Sequence, residues 1–509
     1  MRYALPALAA LMLTVAPALA GPKVGVVVGP DAPKLERLAA DEIANQFKQL
    51  FDAEVTVADK PPAGVDHLIL VGSPTTNPAV AKAVGDKWPK LTEQGHVLRS
   101  VTLADRKAHV AGGSSPVATL WAAYELGHHF GIRPFLHGDV MPEKVPELKL
   151  DGIDVTLEPA VKVRAWRVFD ESPTGFGGWG LADHKQLFRQ LAKLKFTRVV
   201  FGIDPKNPVS LIDARRFPAA GDTPRRKAFK GAKEFENPDL AGKTGDDRRT
   251  AAVALGRGIA DTAAEFGLAF GSPPLKVRTL ALRGFVPRVP ADLPAADADG
   301  FIVVAEVLGD LSPAVYHLAR WSFDPKLTAK DAYAQLLTPL IGAASLERVL
   351  LGFGMIDDAA KLIEKNDPKF FELSPNLVAG LLKSSEPPPE WWKEAGKLYT
   401  GGMNEMYRGI RATFNDPARP VLLYYAKRCE FALHYFASIE AARLAGAAKA
   451  KGDKEATIQQ LEKATESMYN ALNAYGDVGR DASDRGAIAV LAEYGYRALK
   501  AELKAAEKK

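Results

Sequence analysis

"LWAAYELGHHFGIRPFLHGDVMP", residues 120–142, decides how this chain is divided. Leu120, Trp121 and Tyr124, with Val117 before them, recur at helical spacing and give the segment one apolar face. Gly131 ends that helix, and Arg133-Pro134 leads on to His137-Gly138-Asp139. His128, His129, His137 and Asp139 raise the question of a metal site. Adjacent histidines point in different directions, and no pair sits at i, i+4 on one helix face. The spacing therefore predicts a junction between domains and no metal.

Upstream of the junction, strands and helices alternate. "KVGVVVG" (23–29) is a buried strand, and Leu35, Leu38, Ile43, Phe47 and Leu50 form the apolar face of the next helix. "AEVTVA" (53–58) and "HLILVGS" (67–73) are further strands, and 96–113 alternates like a hairpin about Asp105-Arg106. This pattern predicts a small α/β domain over residues 21–155. Ahead of it, Arg2, the apolar run "LPALAALMLTVAP" and Ala18-Leu19-Ala20 have the form of a signal peptide over residues 1–20, cleaved near Ala20. The expected location is periplasmic or extracellular. No later stretch approaches eighteen uninterrupted apolar residues, so no integral membrane segment is expected.

Downstream, "KVRAWRVF" (162–169) is a strand, "LADHKQLFRQLAKLKF" a helix, and "FTRVVFGID" (196–204) a strand ending in a carboxylate. "LAFGSP", "VRTLALRGF" and "GFIVVAEV" (300–307) bring the strand candidates to five. A full barrel of eight β/α units takes about 250 residues. The region 156–310 is shorter, and it predicts a shortened or degenerate (β/α) TIM-type barrel. From residue 311 to 509 the texture is helical throughout, with a Pro-rich break at 384–392. Fold class is therefore α/β followed by α.

Composition narrows the functions. The net charge is +5, and residues 205–249 hold eleven Lys/Arg against seven Asp/Glu, so most of the excess is one local insert rather than a nucleic-acid-binding surface. That insert suits either a solvated loop or a grip on an acidic sugar or polymer. Cys429 is the single cysteine and lies on the stripe Leu422, Tyr425, Cys429, Ala432, Phe436, which predicts a packed, inert thiol. Dinucleotide, P-loop and nucleophile-elbow spacings are absent, and no cofactor is expected.

The segments "AADEIANQFKQLFDAEVTV", "LILVGSPTTNP", the junction itself and "VRAWRVF…LFRQLAKLKFTRVVF" occur in an order that resembles exported glycoside hydrolases, the α-glucuronidases and bacterial β-hexosaminidases. The segment 315–353 is similar to the helical region that follows the barrel in α-glucuronidase-like proteins. The resemblance implies an N-terminal α/β domain, a barrel and a carbohydrate substrate, possessing neither cofactor nor metal. Catalytic motifs do not transfer. The Asp-Glu pair that follows a His-x-Gly-Gly strand end in the hexosaminidases has no counterpart here. Asp41-Glu42 lies in a helix and Asp170-Glu171 just past a strand.

Glycoside hydrolysis needs two carboxyl groups across the scissile bond. Strand C-termini offer Asp170, Glu171, Asp204 and Glu306 as catalytic candidates. Phe176 and Trp179 in a Gly-rich loop are candidates for stacking on sugar rings. Arg164 and Arg167, on opposite faces of one strand, and Trp166 beside them, complete the substrate-binding set. One arginine would meet a uronic-acid carboxylate and the other form a structural ion pair. The expectation is a two-carboxylate hydrolase acting on a uronic-acid or amino-sugar glycan. Its rival is an inactive relative that binds glycan or a partner protein. The sequence leaves oligomeric state open.

Overall fold

The computed structural model describes residues 21–168, 178–200, 237–271, 277–282, 284–291, 299–384, 386–414 and 416–508. The expected signal segment 1–20, the candidates Asp170, Glu171, Phe176 and Asp204, and residues 205–236 of the basic insert lie outside them.

The first region holds β1 (Lys23–Val28), α1 (Lys34–Phe51), β2 (Glu54–Ala58), β3 (His67–Val71), α2 (Pro78–Val84), β4 (His96–Leu103), β5 (Arg106–Gly113), α3 (Pro116–His129), β6 (Arg133–Phe135), β7 (Gly138–Val140) and β8 (Asp154–Leu157). Six strands form one mixed sheet in the order β2-β1-β3-β5-β4-β8. Its first four members run parallel, and β4 is antiparallel to both its neighbours. Helices cover both faces, which is why "VGVVV" carries no polar alternation. Val24, Val26, Ile69 and Val71 pack toward α1 and α3, while Val27, Leu68 and Leu70 pack toward α2. The β4–β5 hairpin turns on Ala104 and Asp105, both with positive φ (47° and 63°), as a two-residue turn of right-twisting strands requires.

The second region holds β9 (Val163–Arg167), α4 (Leu181–Lys193), β10 (Arg198–Val200), α5 (Gly245–Glu265), β11 (Ala269–Phe270), β12 (Arg278–Leu282) and β13 (Gly300–Ala305). The end of the basic insert thus enters a helix at Gly245. All five strands are parallel, in the order β11-β10-β9-β13-β12. In a closed barrel the first strand lies between the second and the last. Here β9 lies between β10 and β13. The sheet keeps the strands on either side of that seam, and among the described residues the ring is not closed. Where a barrel was expected, the described residues form an open sheet.

The remainder is helical: α6 (Leu308–Trp321), α7 (Ala329–Asn366), α8 (Leu377–Lys383), α9 (Glu390–Ala412), α10 (Arg419–Ala450), α11 (Lys454–Gly476), α12 (Ala482–Leu491) and α13 (Ala498–Lys508). Long antiparallel members bury Tyr399, Met406, Cys429, Phe436 and Tyr475 between them. Burial pushes the Cys429 thiol pKa up, in keeping with an inert group. Helix α7 is kinked at Gly342 (φ 68°). It is apolar and long enough by composition to cross a membrane, although Leu336, Leu337, Leu340 and Phe353 are buried within the protein.

Candidate functional site

Parallel strands bring all their C-terminal ends to one edge, and there Glu306 follows β13 directly. Its backbone N–H donates to Leu282 O (3.3 Å), and its Oε2 accepts from the Gly284 N–H (3.3 Å). Side chains alternate along strands. Val163 and Ala165 share one face with Val200, Ile302 and Val304, in a small cluster separate from the main core. Arg167 ends β9 on that face, and Glu306 is the first residue after β13, the two strands being paired with Val303 opposite Trp166. The edge therefore carries an acid and a guanidinium from adjacent strands. Glu306 is 5 % exposed and Arg167 half-buried.

The other described candidates are buried in the core. Arg164 is fully buried, donating through Nε to Lys195 O and through Nη1 to Val161 O (2.6 Å each). Its guanidinium lies 5.1 Å from the ring centres of both Trp121 and Phe323. Burial without a carboxylate lowers its pKa to about 9. Trp166 is also fully buried, edge-on to Phe196. Trp179 is 2 % exposed and accepts, through its carbonyl oxygen, the Asn237 amide (2.6 Å). These three side chains knit the sheet to its surroundings.

The stretch 120–142 is a junction, as its spacing implies. Glu125 receives Lys195 Nζ at 2.6 Å and Arg320 Nη1 at 3.0 and 2.8 Å. Burial opposes its charge, but Arg320, Lys195 and His128 outweigh that and hold its pKa well below the carboxylate range. His128 Nε2 meets Tyr316 Oη at 2.7 Å, and Arg133 donates to Gln335 O on α7. Each contact ties the first region to the sheet or to the helices.

His137 has a different environment. Its Nε2 lies 2.8 Å from Asp481 Oδ2 and 4.0 Å from Asp484 Oδ2. Asp481 Oδ1 caps α12 by accepting from the N–H groups of Ser483 and Asp484. Asp484 accepts from Tyr424 Oη, Tyr475 Oη and the Arg480 N–H. Burial lowers the His137 pKa, yet the hydrogen bond and charge of Asp481 reverse this and raise it. Burial, together with the charge of Asp481, raises Asp484 to about 6. Burial would also raise Asp481, but its bonds to His137 and Ser483 hold it low. The three donors lie within 4.8 Å of one another, a set that could hold a divalent ion. Every one is already committed to a hydrogen bond within the protein. Beside them opens a cavity of about 200 Å³ lined by Phe135, Ser312, Tyr424 and Arg480 among others. Sequence reading singled out His137 but missed its partners Asp481 and Asp484, which lie 344 and 347 positions away.

No protein-family model and no curated protein matches the chain. Among solved structures, a family GH115 4-O-methyl-α-glucuronidase with specificity for decorated arabinogalactans superposes at TM-score 0.57, with 10 % identity, over 92 % of this chain and 78 % of that one. The chain shares its overall fold with that enzyme. A GH138 enzyme targeting pectin rhamnogalacturonan II aligns over 96 % of this chain and 99 % of that one at TM-score 0.43 and 9 % identity, too distant to carry weight. At such identities the likeness speaks for architecture alone.

Proposed function

We propose that this protein is an exported, glycoside-hydrolase-like protein that takes a glycan at the carboxyl edge of its five-stranded sheet. The observation carrying this reading is the placement of Glu306 and Arg167 at the carboxyl ends of the paired parallel strands β13 and β9. Asp170 and Glu171 follow β9, and Asp204 follows β10, within four residues of each strand's end. The reaction is hydrolysis of a glycosidic bond. Glu306, largely shielded from water, serves as the acid, and a carboxylate from Asp170, Glu171 or Asp204 as base or nucleophile. Arg167 orients the sugar, by its carboxylate where that sugar is a uronic acid. Export follows from cleavage near Ala20, and N-terminal sequencing of the mature protein would read Gly21 first.

One observation favours the rival reading, in which the protein binds glycan without cleaving it. Arg164, Trp166 and Trp179 are core residues, which leaves fewer groups for gripping substrate than the sequence offered. A panel of chromogenic glycosides and glucuronoxylan fragments separates the two. Turnover that disappears in Glu306→Gln supports hydrolysis. Saturable glycan binding without turnover supports the rival.

A further inference from the structure

A small cavity of about 30 Å³ lies where the three regions meet, walled by α3, the C-terminal end of α4 and the last turns of α6. Among the described residues its walls carry three positive side chains, Lys193, Lys195 and Arg320, and one carboxylate, Asp139. Lys193 is bonded to Asp139, and that pair is neutral. Lys195 and Arg320 share the carboxylate of Glu125, one negative charge between two positive ones. Two more buried guanidiniums stand close by. Arg133 donates to His128 O (2.6 Å), and Arg164 joins Lys195 over the Phe323 ring, at 5.1 and 5.8 Å from its centre. Among the described residues both arginines find only carbonyl oxygens as acceptors. The junction therefore buries more positive charge than Glu125 offsets.

Its hydrogen bonding is unbalanced in the same sense. Two buried donors have no acceptor among the described residues, the Tyr124 hydroxyl in the cavity wall and Arg164 Nη2 behind it. The Gln46 side-chain oxygen, also in the wall, is likewise unbonded, and turning that amide over presents its NH2 group instead. Lys195 reaches the cavity from a left-handed backbone position (φ 60°), which costs a lysine more than a glycine.

We infer that this cavity is a binding site for a small inorganic anion of the halide class, seated between the Lys195 ammonium and the Arg320 guanidinium. An unbalanced charge is far more costly to bury than a paired one, and an anion at this point offsets the excess. It also gives the Tyr124 hydroxyl an acceptor. The volume takes one ion of chloride size, since a single water needs about 10–15 Å³ by the same measure, and it is too small for a sugar. Tyr124, Lys195 and Arg320 come one from each region, so the ion ties all three together. Arg164 lies near the start of β9 and Lys195 just before β10, so the site is at the amino ends of these strands, opposite the edge that carries Glu306. It does not depend on glycoside hydrolysis.

Bromide substitutes for chloride and scatters anomalously. Crystals of the native chain soaked in sodium bromide should show an anomalous peak in the cavity, between Lys195 and Arg320. In solution, at fixed ionic strength, replacing gluconate (too large for the cavity) by chloride should raise the melting temperature along a saturable curve, by about 1–3 °C at ten times the dissociation constant. Ala319 lines the cavity without carrying charge, so Ala319→Val should fill the space and abolish both signals while the Glu125 ion pairs remain. A water peak with no anomalous signal would overturn the inference, and that reading on the native chain needs no variant to fold. A bromide peak with no chloride response in solution would mark an adventitious ion only and would overturn it too, as would a folded Ala319→Val that keeps the full chloride response.

Discussion

Glu306 and Arg167 stand at the carboxyl ends of neighbouring parallel strands, although 139 positions separate them in sequence. Neither residue announces this by motif. The pairing follows from strand order, because β9 takes β13 as its partner just as the first strand of a barrel takes the last. If this edge is the reaction centre, Glu306→Gln should reduce turnover by at least about a hundredfold, the usual scale for a general acid. Arg167→Gln should chiefly raise KM. Steady-state rates on whichever glycoside is cleaved, beside melting curves for both variants, would check this.

Glu125 should be essential for assembly rather than chemistry. It neutralises Lys195 from the sheet region and Arg320 from α6. Glu125→Gln strands both cations, and losing one partner of a buried ion pair costs about 3–5 kcal/mol. Urea denaturation should report a loss of that order. A change below about 1 kcal/mol would contradict the role assigned to the junction.

Gly309 occupies a point of contact that tolerates no side chain. A methyl group there would stand 2.2 Å from Tyr424 Cζ and 2.6 Å from His137 Cε1. Gly309→Ala should therefore cost about 1–3 kcal/mol through forced displacement and should close part of the neighbouring cavity. Thermal unfolding measures the first effect.

The His137–Asp481–Asp484 group makes stability depend on pH in a definite direction. Asp484 titrates near 6 when folded and near 3.8 otherwise, so its contribution is complete below 3.8 and is lost as pH rises through 6. His137 is likewise raised, and its contribution is complete below 6.5 and lost at higher pH. Asp481 is lowered, so its share persists above 3.8 and fails only in stronger acid. The difference in urea midpoint between the native protein and Asp484→Asn should therefore shift against the native protein from pH 4 to pH 6. A difference that is flat or of opposite sign would refute the assignment.

Local pattern made most of this architecture legible. The five central strands and the long helices after residue 311 show their periods in the sequence, and β1–β5 lie where alternation and apolar runs placed them. What sequence could not give was sidedness. Strand β9 is covered on both faces, so Arg164 and Arg167 look equivalent in the chain although one is sealed between Trp121 and Phe323. Nor could it give the partners of His137. Asp481 has the local signature of a helix cap, and only the packing of α12 against the hairpin adds a second use for its carboxylate.

The most direct measurement is a crystal structure of Glu306→Gln soaked with an oligosaccharide that the native protein retains or cleaves. The account predicts a sugar ring at the carboxyl ends of β9, β10 and β13, with position 306 against a glycosidic oxygen and Arg167 against the ring's substituents. A sugar bound elsewhere, with that edge closed by protein side chains, would contradict it.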